Sequence, residues 1–210
     1  MSHFCSIVLA TLVGLFHPHA NDFTRTVDRV STSIVRISGE ASLVFSRGLD
    51  RNAVTGDQYT CTGFVIAPRR VLTAAHCLSA EMYADKYPVV ILRVDTTYDL
   101  ALLDTATTKP SLTLSDAPVL RYMRVISIGY AFGWTELTAL KESVTLPVYA
   151  PAEGLPPGLI TQPGYIGGMS GGPVFDQNGR VVSIVQLSDG LSGFGRPISV
   201  IYSATAQYWN

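Results

Sequence analysis

The chain has 210 residues, 47% of them hydrophobic and 15% charged, and its 15 basic and 16 acidic side chains leave a formal net charge of −1. That length can bury the core of one domain or two small lobes, and the composition is globular rather than disordered. A charge near zero, with no basic run and no internal repeat, offers no footprint for nucleic acid or an anionic membrane surface.

Residues 1–20, "MSHFCSIVLATLVGLFHPHA", carry an apolar run from Phe4 to Phe16. A membrane-spanning helix needs about 20 such residues, so the run is too short to span. It reads as the core of a secretory leader ending at Ala20. The absence of Lys or Arg before the run and the Pro at position 18 argue the other way, for an N-terminal segment packed on the fold. Cys5 would leave with the leader. Cys61 and Cys77 would remain as an even pair, as in an extracytoplasmic chain with one disulfide; two buried free thiols are the alternative. The location expected is secreted or periplasmic.

Strand-like segments follow. "SIVRIS" (Ser33–Ser38), "ASLVFS" (Ala41–Ser46), "CTGFVIA" (Cys61–Ala67) and "VVILRV" (Val89–Val94) are β-branched or aromatic runs of strand length. "DLALLD" (Asp99–Asp104), "RVISIG" (Arg124–Gly129) and "SVTLPVYA" (Ser143–Ala150) continue the pattern. "GPVFDQNGRVVSIVQL" reads as a hairpin with Asn178-Gly179 in a type I′ turn. "GRPISVIY" reads as a last strand, and only the end of the chain suggests a helical period. Short strands punctuated by Gly and Pro point to an all-β sandwich or barrel. A lobe boundary is expected near residues 105–118, rich in Thr, Ser and Pro, with a first barrel over about residues 30–108 and a second over about 119–203.

The chemistry concentrates in two segments. Of four histidines, His3, His17 and His19 lie in the leader, so His76 in "TAAHC" is the one imidazole of the body. "GGMSGGPV" (Gly167–Val174) sets Ser170 among glycines. Such a turn can point the Ser Oγ outward and converge backbone N–H groups on an oxyanion, here those of Gly168 and Ser170. A plain glycine turn capped by its serine is the simpler reading. The segment also fits the G-x-S-x-G elbow of α/β-hydrolases, but no His follows Ser170 and the helix–strand alternation of that fold is missing.

The order His, acid, Ser together with "CTGFVIAPRRVLTAAHC", "DLALL" and "GMSGGPV" resembles the chymotrypsin/trypsin family of serine proteases, most of all its trimmed bacterial HtrA-like and glutamyl-endopeptidase-like members. The likeness runs from about Ser33 to Tyr202. It implies an all-β fold of two six-stranded antiparallel barrels, with the active site in the cleft between them and room for a short C-terminal helix. It implies a serine endopeptidase with His76 as general base, Asp99 orienting it and Ser170 as nucleophile. Asp95 and Asp104 are the rival acids. It implies a Cys61–Cys77 disulfide, closing a loop for which chain entropy gives roughly 3 kcal/mol. Met169 stands where zymogen-activated members carry Asp, so that ion-pair switch is not expected. The specificity pocket is expected from Gly164, Gln186, Leu187, Ser188 and Gly195, neutral and favouring an apolar residue, with Arg196 turned away. No metal and no cofactor are implied. The partners implied are protein or peptide substrates, without nucleic acid and without stable membrane association after leader removal. Two other readings share the scaffold: a catalytically silent protein-binding relative, and an esterase.

Overall fold

The computed structural model describes residues 22–40, 58–79, 81–150 and 156–205. The leader over residues 1–20 and the strand expected at Ala41–Ser46 lie outside the described residues. Twelve strands form two closed antiparallel barrels of six. The first contains β1 (Ile34–Glu40), β2 (Gln58–Ala67), β3 (Arg70–Thr73), β4 (Met82–Ala84), β5 (Tyr87–Asp95) and β6 (Leu100–Thr105), in the spatial order β1-β2-β3-β6-β5-β4. The second contains β7 (Arg124–Gly129), β8 (Thr138–Tyr149), β9 (Gly158–Gln162), β10 (Pro173–Phe175), β11 (Val181–Ser188) and β12 (Gly193–Pro197), in the order β10-β11-β12-β9-β8-β7. Closure leaves neither sheet with an unpaired edge.

Three apolar clusters follow from the period-2 alternation of these strands. Val35, Ile37, Val65, Val71, Ala101 and Leu103 fill the first barrel. Val125, Val144, Met169, Val174, Val182 and Val185 fill the second. Ile34, Phe64, Leu72, Ile126, Ile128, Phe175 and Ile184 point from both barrels into a shared seam. The segment between the barrels is pinned to each: Leu112 N–H donates to Val65 C=O, and Val181 N–H to Thr113 C=O.

Three local expectations are corrected. A helix, α1 (Asp22–Ser31), precedes β1. Its Phe23, Val27 and Val30 pack on the shared seam at helical spacing, a short stripe easily lost among its charged residues. "GRPISVIY" is not one strand. β12 ends at Pro197 and α2 (Ile198–Thr205) begins at once. Proline has no N–H to extend the ladder, and Ile198 and Ile201, three apart, bury against the seam despite their β-branching. The hairpin turn is not type I′, because Gly179 has φ +75° but Asn178 is not in the left-handed region. Instead the Asp176 carbonyl accepts from Gly179 N–H, and its carboxylate accepts from the Asn178 and Arg180 N–H groups. That side chain organises a wider loop.

The second barrel also encloses polar groups. Glu142 on β8 is buried and accepts a 2.6 Å hydrogen bond from Ser127 Oγ. The Thr161, Tyr165 and Ser183 hydroxyls are buried in the same barrel. Burial pushes the Glu142 carboxyl up from 4.5 to about 7, partly offset by the Ser127 hydroxyl. The folded state therefore holds the proton more tightly than the unfolded chain. The stabilisation is intact below pH 4.5 and is lost as pH rises to about 7, a change of about 3 kcal/mol. Glu142→Gln is expected to remove this slope and to be more stable than the parent above neutrality. Urea denaturation between about pH 5 and pH 8 checks it; parallel slopes for both proteins would refute it.

Candidate active site

His76 lies in one 3-10 turn, Ala75–Cys77, directly after β3. The turn is fixed at its own end by a disulfide between Cys77 and Cys61 on β2, with the Cα atoms 6.0 Å apart. Asp99 grips His76 twice. Its Oδ2 is 2.8 Å from His76 Nδ1, and its Oδ1 accepts the His76 backbone N–H at 2.9 Å. An ionised carboxylate only accepts, so the Nδ1 side of the ring is the side that donates to Asp99. Asp99 itself has φ +55°, a left-handed conformation that Asp tolerates better than bulkier residues. Both side chains are partly exposed, His76 at 30% and Asp99 at 26%.

The rival acids lie elsewhere. Asp95 Oδ1 caps the turn after β5, accepting from the Thr97 and Tyr98 N–H groups. Asp104 is paired with Arg69 and Arg70 at 2.6 and 2.5 Å. The Arg69 guanidinium, with Arg70, holds its carboxyl below the usual carboxylate range.

Ser170 sits on the turn that enters β10. Gly168 has φ +93° and Gly171 φ +79°. A Cβ at Gly168 would come 2.3 Å from Tyr130 O, and one at Gly171 would come 2.2 Å from Thr73 Oγ1 and 2.6 Å from Ala74 N. Glycine is thus required at both places, and the serine turn lies hard against the segment that carries His76. Met169 N–H donates to Ile166 C=O and Gly171 N–H to Val185 C=O, whereas the Gly168 and Ser170 N–H groups, among the described residues, donate to no backbone carbonyl. Met169 is fully buried in the second barrel, so apolar packing anchors this turn.

Two residues act here in ways the sequence did not announce. Thr62, fully buried, donates from Oγ1 to Gly168 C=O at 2.8 Å and accepts from Tyr130 N–H at 2.9 Å. Its N–H donates to Ser170 C=O at 2.8 Å, and its C=O accepts from Thr73 Oγ1 at 2.7 Å. Gln186 on β11 accepts from Ser170 Oγ at 3.3 Å through its backbone C=O. Its carboxamide donates to the Tyr98 and Asp99 carbonyls at 2.6 and 3.2 Å. Ser170, Gln186, Asp99 and His76 are therefore one hydrogen-bonded chain. These are side-chain to backbone bonds between distant segments, which leave no spacing signature.

The expected pocket residues divide. Gly164 and Ser188 are brought together: a Cβ at Gly164 would meet Ser188 Oγ at 2.6 Å and Ser192 O at 2.9 Å. Gly195 faces the barrel interior, with Ser183 Oγ and the Tyr165 hydroxyl opposite. Arg196 is buried and donates to the Pro156 and Pro157 carbonyls, stacking on Phe194 at 5.1 Å. The sulfurs of Cys61 and Cys77 and the His76 ring lie within 4.8 Å of one another, but disulfide sulfurs are not thiolate ligands.

Thr62→Val keeps the shape of the side chain and removes its hydroxyl. It strands the Gly168 carbonyl and the Tyr130 N–H in the interior, so a loss of about 1–3 kcal/mol is expected, with Thr62→Ser close to the parent. Chemical denaturation of the three proteins checks this. A valine variant as stable as the parent would show the hydroxyl to be dispensable.

Comparison with known proteins bears on the family and the fold. A family model described as "Trypsin-like peptidase domain" matches residues 61–184. The chain is 30% identical over 150 residues to Serine protease Rv3671c of Mycobacterium tuberculosis H37Rv and equally to Serine protease MT3772 of strain CDC 1551. Those matches cover 63% of this chain and 38% of the curated relatives' length. Crystal structures of the Rv3671c protease from M. tuberculosis superpose at 23% identity over 91% of this chain. The TM-score is 0.70 for the inactive form, covering 96% of that chain, and 0.72 for the active form, covering 87% of it. At that identity the superpositions speak to the fold, and the family model speaks to descent. On the span from Cys61 to Ile184, more than half of its length, the chain belongs to the trypsin-like peptidase domain family.

Proposed function

We propose that this chain is a serine endopeptidase that cleaves peptide bonds through an acyl-enzyme, with His76, Asp99 and Ser170 as its triad. The observation that carries the reading is the double grip of Asp99 on His76, set beside a serine on a glycine turn where no Cβ fits.

Ser170 Oγ exchanges its long bond to the Gln186 carbonyl for His76 Nε2 when substrate fills the cleft; apo geometries at such sites are often loose. Nε2 takes the hydroxyl proton as Oγ attacks the peptide carbonyl carbon. Asp99 Oδ2 stabilises the imidazolium that forms and stays ionised. The carbonyl oxygen becomes an oxyanion and is received by the Gly168 and Ser170 N–H groups. One such donor contributes about 10²–10³-fold in rate. His76 then protonates the leaving nitrogen as the C–N bond breaks, leaving an ester on Ser170. Water, deprotonated by His76, hydrolyses that ester and restores the hydroxyl.

The specificity wall supports a neutral pocket. Gly164 and Ser188 carry no charge, Gly195 is turned to the barrel interior, and Arg196 is engaged with backbone carbonyls. An apolar side chain before the scissile bond fits best. The substrates are proteins or peptides. A secreted or periplasmic location is supported by the disulfide beside His76, since such bonds persist in oxidising compartments. Among the described residues no helix is long and apolar enough to cross a membrane.

A fluorophosphonate probe is expected to label the parent at Ser170 and to leave Ser170→Ala unlabelled. Ser170→Ala and His76→Ala should each lower kcat by about 10⁶-fold, as for groups that act as one unit. Asp99→Asn should cost about 10⁴-fold through the wrong tautomer, and Asp95→Asn far less. Peptide mapping of the labelled protein and kinetics on a peptide library read these outcomes. An unlabelled parent, or a larger loss in Asp95→Asn, would refute the assignment.

A further inference from the structure

Directly beyond β7 the chain turns through Ala131–Gly133 and presents two aromatic rings to solvent. Phe132 is 60% exposed and Trp134 56%, and their ring centroids lie 5.2 Å apart at 52°. Single exposed aromatics are common on protein surfaces. These two are in contact, and Phe132 holds φ +54°, a left-handed conformation that bulky side chains rarely adopt. Strain of this kind clusters at functional sites and persists where the surroundings over-determine it.

The surroundings are the oxyanion turn. Phe132 N–H donates to Gly167 C=O at 2.7 Å. A Cβ at Gly168 would lie 3.2 Å from Phe132 N and 3.3 Å from Gly133 N. On the other side, a Cβ at Gly133 would lie 3.4 Å from Thr60 Oγ1 of the first barrel. The pair therefore stands at the mouth of the cleft, between the turn that carries Ser170 and the rim of β2.

Barrel topology gives the direction. In the closed order β10 has β11 on one side and β7 on the other. β11 supplies Gln186 and Ser188, the wall assigned to the residue before the scissile bond. Ser170 Oγ faces that wall through the Gln186 carbonyl. The flank at the end of β7 is the opposite one, where the chain released as amine must leave.

We propose that Phe132 and Trp134 form a subsite for the leaving-group side of the substrate, selecting a large apolar or aromatic side chain within the first two residues after the scissile bond. The inference rests on the endopeptidase reading for its direction. Stacking on the two rings and desolvation of both partners supply the affinity. The strained backbone holds the Phe132 ring outward instead of letting it fold onto its own strand.

The test uses the full chain and two peptide sets with a common acyl side. One set carries Phe, Leu or Trp in the two positions after the scissile bond, and the other carries Gly or Ser there. In the parent, the first set should be favoured in kcat/KM by about tenfold, the scale of one good aromatic contact. Trp134→Ala should collapse that ratio towards one, and Trp134→Phe should restore most of it. A ratio that survives Trp134→Ala overturns the proposal, whatever happens to absolute rates. The same peptides are also titrated onto Ser170→Ala, where binding is read without turnover. There the apolar set should bind about tenfold tighter, and adding Trp134→Ala should abolish the difference. Equal binding of both sets overturns the subsite even if fluorophosphonate labels Ser170. A difference in binding with no labelling of the parent retains the subsite and removes only the endopeptidase reading.

Discussion

The dipeptide Cys61–Thr62 is the constraint on which the site depends. Cys61 ties the histidine turn covalently to β2 through Cys77. Thr62, the next residue, ties the serine turn to the same strand through its N–H and its hydroxyl. Two adjacent residues of the first barrel thus set the position of both chemically interesting segments, one of which belongs to the second barrel. Every polar atom of Thr62 has a partner, so the contact costs little in desolvation and tolerates few alternatives. Moving one barrel against the other would strain several hydrogen bonds at once.

The rest of the fold makes that contact rigid. The seam between the barrels is itself a hydrophobic core, with residues from both sides. α1 and α2 both add to it, α1 through Val30 and α2 through Ile198 and Ile201. Arg29 at the end of α1 donates to Asn178 C=O at 2.6 Å, so the helix also holds the loop after β10. The barrels are therefore packed into one body, and a site placed on their seam inherits its stiffness. That suits a reaction in which a misplacement of about 1 Å is costly.

What could be read from the sequence was what repeats locally. Runs of β-branched and aromatic residues reported most of the twelve strands, and the two six-stranded barrels followed from the resemblance that "TAAHC" and "GMSGGPV" carry. The dissenting elements are those where burial overrode propensity. "ISVIY" has the composition of a strand, yet spacing of three between Ile198 and Ile201 made a helix on the seam. α1 hides a three-residue apolar stripe among charges. Asn178-Gly179 looks like a tight turn, but the Asp176 carboxylate reorganises it. Thr62, and the bracing bonds of Gln186 as opposed to its place in the expected pocket, were illegible for a different reason. Each works through bonds to backbone atoms far along the chain, and any spacing between such partners serves equally well. The Cys61–Cys77 pairing was read from the even cysteine count and from the family resemblance, and the structure places that bond beside His76.

Part of the backbone strain falls at the site. Among the described residues Arg69, Asp85, Asp99, Tyr122 and Phe132 are the non-glycine positions with positive φ; Asp99 and Phe132, with Gly168 and Gly171, lie within the site or border it, and the others sit in turns elsewhere. Glycine carries the conformation where no Cβ fits, at Gly168 and Gly171. Asp99 and Phe132 carry it where a side chain is needed, one to hold His76 and the other to project a ring. Each strained non-glycine residue costs of order 1–3 kcal/mol, comparable to a good fraction of a domain's net stability. Such strain survives only when neighbouring bonds leave no easier conformation, and here they do: the Asp99 carbonyl accepts from Gln186 Nε2, and the Phe132 N–H is bonded to Gly167. The barrels supply stability in their cores, and the seam uses part of it to keep Asp99, His76, Ser170 and two aromatic rings in orientations that a relaxed loop would abandon.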